Sequence, residues 1–360
     1  MIKICFCLFL YTTCGVGWAV AEESGGERED QVEVGYKNGL YFKRLDNSYL
    51  LKMQFLFQPQ YQYENATQNV NTFFVKRAQM RFSGHSFGPR LKYKVMFEMP
   101  GTKGGTTMTL RDLWISWQCT PQVNLRVGQF FVFFDMENLQ PSWSLQFVDR
   151  SIVNANLGFE RDLGTEVYGQ IGNVSYHAYV MNGDGRNQRN RNTSFFYGGR
   201  LTINLLGNQN YLASDLAHSQ TPHLLVGLSA LYDPHNAALQ DHHINRFEAD
   251  AGFRYEGFSV LGFWNVAQNT SLNADDSGVL VQGGYVVVPN RFEVVGRWAK
   301  VFIAGALGKG TVDTRELGGG VNVYFDAHRA KLQSDFRRVW HRGGSLGKEN
   351  ELRTQVQMFF

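Results

Sequence analysis

From residue 49 onward the chain keeps returning to one pattern, short runs in which apolar and polar side chains alternate, separated by turn residues. The last ten residues show it plainly. Leu352, Thr354, Val356 and Met358 alternate with Arg353, Gln355 and Gln357, and Phe360 follows, an aromatic ending that fits an outer-membrane strand. Successive side chains on a strand point to opposite faces, so such a strand offers one face to lipid and the other to water. Strand 73–84 sets Ala78, Met80 and Phe82 against Arg77, Gln79, Arg81 and Ser83. Strand 244–255 sets Phe247, Ala249, Ala251 and Phe253 against Glu248, Asp250 and Arg254. A cation facing lipid at mid-membrane costs about 2–4 kcal/mol, so these charges are expected to line a wet interior.

Sixteen such strands can be counted, the first near 49–63 and the last near 350–360. Their connections mostly alternate between tight and long, as turns on one rim and loops on the other require. Tight turns fall at Gly172 and Asn173, Glu256 and Gly257, Pro289 and Asn290, and Asp326 and Ala327. Segment 206–221 breaks the rule, a long connection where a tight turn belongs. The count predicts an all-β fold over residues 49–360, a 16-stranded antiparallel transmembrane β-barrel wide enough for an aqueous channel. No later stretch reads as a transmembrane helix, and a barrel closed in lipid needs none, because its ladder satisfies every backbone group.

The first residues read differently. Lys3, an apolar run from Ile4 to Leu10 that continues loosely to Trp18, and Ala19, Val20 and Ala21 form a secretory signal over 1–21. A lipoprotein signal at Cys14 is the rival, and Tyr11, Thr12 and Thr13 are a poor approach to it. Residues 22–48 are polar and acidic, have no clear period, and read as a periplasmic N-terminal segment. Cys5, Cys7 and Cys14 leave with the signal, so Cys119 alone remains and no internal disulfide forms. Removing Lys3 takes the net charge from +3 to +2, and a near-neutral chain does not suggest nucleic acid.

Lys92, Lys94, Arg126, Arg200 and Arg353 add to a polar face that is more basic than acidic. Two readings stay open. One ion pair at about 4 Å gains only about 1 kcal/mol in bulk water and about 4 at intermediate dielectric, so several cations must act together to draw an oxyanion. Alternatively the cations pair with Glu98, Asp112, Glu248, Asp250, Glu293 and Asp335 simply to hold the wall. Segment 132–162 is too long for an ordinary connection, and Phe133, Phe134, Trp143, Leu145, Phe147 and Ile152 argue that it packs on something. Folded inward it would narrow a pore, although its charges are mainly acidic.

An enzyme would need a nucleophile with a base in reach, or a metal cluster. Asp241, His242 and His243 are the best metal candidates, but they sit in a polar loop and adjacent strand residues point apart, so no metal or cofactor is expected. His85, His177 and His328 have no evident Ser or Asp partner. The glycine runs 101–106 and 308–311 lack the spacing and the following helix of a phosphate loop.

Seven runs, in order and spacing, carry a family resemblance: FFVKRAQMRFSG (73–84), LRDLWISW (110–117), LRVGQFFVFF (125–134), FERDLGTEVYG (159–169), VMNGDGRN (180–187), VVVPNRFEVVGRWAKV (286–301) and ELGGGVNVYFDAHRAKLQSDFRRV (316–339). Together they resemble the phosphate-selective porin O and P family over most of residues 49–360. The resemblance implies a sixteen-stranded barrel, usually a homotrimer, whose long third loop folds into the pore and whose basic residues pass phosphate-like anions. It implies that Lys76 and Arg77 are the basic pair of the second strand and Asp112 the acidic residue of the fourth. By the same resemblance Ser142 and Arg150, in a pattern with Glu137 and Asp149, sit at the constriction. Asn138 stands where phosphate-selective members carry a loop lysine, and Phe133 replaces the proline usual after the Gly-Gln pair.

The expectation is an outer-membrane porin, and not an enzyme, through which small anions such as phosphate or polyphosphate diffuse. Its pore-constriction and anion-binding set is Lys76, Arg77, Arg81, Lys92, Lys94, Asp112, Arg126, Ser142 and Arg150. The rivals are a general non-specific diffusion porin and a structural or adhesive barrel. Outer-membrane lipid and further copies of the chain are the other expected partners.

Overall fold

The computed structural model describes residues 31–65, 69–99, 107–208, 211, 213–236, 242–308, 310–342 and 347–360. The signal assigned to 1–21, residues 22–30, the glycine run 101–106, Asp241 and the side chain of His242 lie outside the described residues.

A short hairpin of β1 (Val32–Tyr36) and β2 (Leu40–Arg44) comes first, then β3 (Leu50–Asn65), β4 (Asn69–His85), β5 (Leu91–Glu98), β6 (Thr109–Gln118), β7 (Asn124–Phe131) and β8 (Arg161–Ile171). β9 (Val174–Met181), β10 (Phe196–Leu206), β11 (His223–Asn236), β12 (His242–Tyr255) and β13 (Phe258–Asn269) follow. β14 (Ala274–Val288), β15 (Phe292–Ile303), β16 (Val312–Asp326), β17 (Ala330–Arg342) and β18 (Lys348–Phe359) complete the sheet. From β3 to β18 each strand pairs antiparallel with the one before it, and β18 returns to pair with β3. Sixteen strands therefore close on themselves. At the seam Asn350 faces Asn65 and Phe359 faces Leu56, and Phe55 and Phe360 exchange backbone hydrogen bonds of 2.6 and 3.0 Å. Closure removes the unpaired edges that lipid could not satisfy.

The alternation in the sequence becomes the two faces of this wall. Phe247, Trp298, Phe336 and Val356 are exposed on the outside, while Glu248, Asp250, Arg297, Asp335 and Gln355 are buried on the inside. The four tight turns each contain a left-handed residue, Gly172 (φ 61°), Gly257 (φ 81°), Asn290 (φ 59°) and Ala327 (φ 44°), which matches the twist of hairpin strands. Among the described residues no helix is long and apolar enough to cross a membrane.

Residues 22–48, read from the sequence as lacking a period, contain the β1–β2 hairpin, which corrects that reading. Five residues alternate too briefly to stand out, and the hairpin needs a neighbour. It finds one where β3 extends past the end of β18: Leu40 to Lys43 pair with Leu50 to Met53, covering an edge that would otherwise stay open. The long connection between β10 and β11 is real, and among its described residues there is no strand.

Apolar packing concentrates where the segment between β7 and β8 meets the wall. It contains two short helices, α1 (Met136–Leu139) and α2 (Ile152–Leu157). Met136, Ile152, Val153 and Leu157 bury against Leu261, Leu280, Ala299 and Val301. Phe130, Val132 and Phe134 form a second cluster with Tyr179, Met181 and Phe196. Fully burying one such side chain is worth about 1.5–3 kcal/mol, so several together offset part of the entropy that a long segment loses on ordering.

Candidate functional site

Adjacent residues on a regular strand point to opposite faces, yet Lys76 and Arg77 reach the same carboxylate. The cause is a break in register between β3 and β4: Gln58 faces Arg77 and Pro59 faces Val75, so Lys76 is the extra residue of a bulge. Proline lacks the ladder N–H, and such a bulge turns a second side chain onto the face of the first. The same device recurs on β6, where Met96 faces Asp112 and Phe97 faces Leu110, leaving Arg111 as the extra residue. Two bulges thus add two cations to one stretch of wall.

These cations border a cavity of about 820 Å³, between strands β4 to β8 and residues 138–155. Nine Lys and Arg residues line it against four Asp and Glu, a surplus of five positive charges. Much of the charge is paired. Asp149 accepts from Lys76 and, at 3.0 Å, from Arg77 Nη2. Asp112 holds Lys94 at 2.7 Å and Arg161 at 2.6 Å, and Glu98 holds Arg111 at 2.9 Å. Arg126 pairs with Glu166 at 3.1 Å and stacks within 4.3 Å of the Tyr168 ring centre and 4.8 Å of Trp114. Among the described residues Arg81 and Arg150 have no carboxylate in salt-bridge reach. Arg81 donates to Gln79 Oε1 at 2.7 Å, and Arg150 donates to the carbonyls of Glu137 (3.1 Å) and Gln140 (2.9 Å).

Two acidic residues of the 132–160 segment, Asp135 and Glu137, act mostly within it. Asp135 caps α1 by accepting from Glu137 N at 2.7 Å and Asn138 N at 3.2 Å. Glu137 accepts from Ser151 N at 2.8 Å and Ser151 Oγ at 2.6 Å. Glu160 borders the cavity, and so does Asp149. Burial pushes its carboxyl up, but Lys76, Arg77 and Arg353 outweigh that and hold it well below the usual carboxylate range.

Of the residues expected at the site, Lys76, Arg77, Arg81, Lys94, Asp112, Arg126, Ser142 and Arg150 all border this cavity. Lys92 does not; it is exposed near the start of β5, opposite His85. Arg111, Arg161 and Arg186 also border the cavity, and the sequence reading did not select them. For Arg111 no alternation could have done so, because the bulge reverses its face. Glu64, Glu349 and Glu351 bring carboxylate oxygens within 4.8 Å of one another, but Gln62 and Arg337 already bond to Glu351 and His341 lies 3.6 Å from Glu349.

The family described as phosphate-selective porin O and P matches this chain over residues 49–223. No curated protein matches it in sequence. Among solved structures the chain is similar to OmpF of Salmonella typhi in complex with daunomycin, with a TM-score of 0.65 and 10% identity, covering 88% of this chain and 99% of that one. It is similar to an anion-selective porin from Comamonas acidovorans, with a TM-score of 0.58 and 11% identity, covering 86% and 99%. It is also similar to a trimer form of in-vitro folded OmpT, an outer membrane protein of Vibrio cholerae, with a TM-score of 0.55 and 10% identity, covering 86% and 99%. At such identities the likeness is one of fold.

Proposed function

With residues 49–223 matching the phosphate-selective porin O and P family and sixteen strands closing the wall, we propose that this chain is an outer-membrane porin whose water-filled path carries small anions, phosphate-like oxyanions among them. It is a channel and not an enzyme. Residues 132–160 are its inward third loop. Their hydrogen bonds to Arg200 on β10 and, across the closed ring, to Gln58 on β3 and Gln357 on the adjoining β18 support that position.

The observation that carries anion preference is the surplus of five positive charges around the cavity, with Arg81 and Arg150 left without carboxylate partners among the described residues. A single cation gains about 1 kcal/mol from an anion at about 4 Å in bulk water and about 4 at a dielectric near 20, so binding is weak, hydrated and reversible. That suits conduction, which requires entry without trapping. The exposed apolar outer face faces lipid, and assembly as a homotrimer is the arrangement proposed for it, in line with the trimer form of OmpT.

A general diffusion porin is the second reading. It is favoured by the pairing of Lys76, Arg77, Lys94, Arg111, Arg126 and Arg161 with carboxylates. Planar-bilayer reversal potentials in a salt gradient, with phosphate titrated into chloride, separate the two. The full chain is expected to prefer anions and to be blocked by phosphate, and Arg81→Ala with Arg150→Ala to lose the block and most of the preference. Unaltered block in the double variant removes those two residues from the site. Open current with neither preference nor block makes the protein a general diffusion pore.

A further inference from the structure

Two long connections leave opposite rims of the barrel, because three antiparallel strands, β8 to β10, lie between them. Residues 132–160 follow β7, and residues 207–222 follow β10. Both reach one buried carboxylate. Glu293 on β15 has no exposed surface; its Oε1 accepts from Gln146 Nε2 at 2.8 Å and its Oε2 from Ser214 Oγ at 3.1 Å. Tyr324 and Asn322 on β16 also donate to Oε2, at 2.6 and 2.8 Å, and fix its orientation.

Arg200 makes a second junction. It donates to the Phe134 carbonyl at 3.1 Å, its guanidinium lies 5.6 Å from the ring centre of Tyr211, and Asp250 holds it at 2.7 and 2.9 Å. Ala213 and Tyr211 join the apolar cluster of Met136, Ile152 and Leu157. Next to Ser214, Asp215 ties the connection down by accepting from Gly257 N at 2.8 Å and from Ser219 Oγ at 2.5 Å.

The consequence is read in burial. On the β10–β18 half the side chains of Arg200, Arg297 and Arg353 are 0%, 1% and 2% exposed, with Arg337 on β17 at 18%, whereas on the β4–β6 wall those of Arg77, Lys76, Arg111 and Lys94 are 11%, 17%, 17% and 30% exposed. Polar side chains this buried need partners: the 132–160 segment gives Arg200 the Phe134 carbonyl and Arg297 the Asp149 carbonyl and Glu137, Tyr211 of the second connection lies against Arg200, and Arg353 is held by Asp335 and Glu351 of the wall.

We propose that the connection after β10, through its described residues 211 and 213–222, is a second bore-filling segment, which together with residues 132–160 seals the β10–β18 half of the barrel and confines solute to the basic β4–β7 wall, and that Glu293 is the positioning residue joining the two. The proposal rests on reading the chain as a channel. It assigns the connection that breaks the tight-turn rule a task in selectivity: solute that cannot spread across the bore passes within reach of Arg81 and Arg150.

The test compares the full chain with one in which residues 208–221 are replaced by a short Asn-Gly turn, both first shown by heat-modifiable gel migration to be folded barrels. The shortened channel is expected to gain about twofold or more in unit conductance and to lose anion preference, because the filled half opens to water. Unchanged conductance in a folded variant overturns the partition and leaves the channel reading standing. A full chain that carries no current strikes the channel reading instead. Where the shortened chain does not fold, thiol labelling decides. In a Cys119→Ser background, Ser214→Cys is expected to resist a membrane-impermeant reagent that modifies Ala155→Cys in the cavity, and rapid modification of Ser214→Cys overturns the proposal. Glu293→Ala is expected to expose thiols placed at both Gln146 and Ser214, and Glu293→Gln, isosteric and still an acceptor, to protect both again. Exposure at one position only breaks the claim that Glu293 joins the segments.

Discussion

At Asp149 one carboxylate serves two cations, Lys76 and Arg77, so it sets how much positive charge the cavity presents. Asp149→Asn should remove the negative charge the two cations share and move the reversal potential further in the anion direction, opposite to the change at Arg81. The pH dependence follows from the same contact. Burial raises this carboxyl, and the neighbouring cations override it and depress it. A depressed carboxylate contributes stability that is present above its unfolded value, about 3.9, and lost as pH falls toward the folded one. Acidification to that ordinary value should therefore leave selectivity unchanged, with the Asp149→Asn behaviour emerging only below it in a pH series of reversal potentials. The sequence reveals Arg77 by alternation alone. Lys76 joins it only because Pro59 forces a bulge, and no periodicity can place a bulge to the residue.

At the scale of elements, α2 docks on strands whose inner face is unusually apolar. Leu261, Leu280 and Ala299 lie on the face that elsewhere carries charge, and Ile152, Val153 and Leu157 cover them. Gly278 makes the fit possible, since a Cβ there would lie 2.5 Å from Val153 and 2.9 Å from Leu157. Gly278→Leu should overpack this contact, cost about 1–3 kcal/mol and push α2 off the wall. A lower temperature for the loss of heat-modifiable migration, with a larger unit conductance, would register it; an unchanged conductance would mean α2 does not limit the path. The sequence shows that the 132–162 segment is long and apolar enough to pack. It does not show against which strands, because the apolar inner residues of β13 to β15 look like a second lipid face until the barrel is closed.

At the scale of the whole molecule, the charge surplus is confined to one side of the bore, and its effect on solute should depend on salt. The screening length falls from about 30 Å at 0.01 M to about 3 Å at 1 M, so anion preference should be strong in dilute salt and nearly vanish in concentrated salt. Preference that survives at high salt would point instead to a desolvated site of fixed geometry. Alternation with period two, repeated at membrane length, by itself determined sixteen strands, their faces and a wall whose charges look inward, because side-chain direction on a strand is a local property of the backbone. It also marked the 206–221 connection as out of place. Tertiary structure alone decided which cations are paired, that bulges turn Lys76 and Arg111 inward, and that two connections from opposite rims meet at Glu293. Those outcomes depend on contacts between residues far apart in the chain, and only closure of the ring brings them within bonding distance.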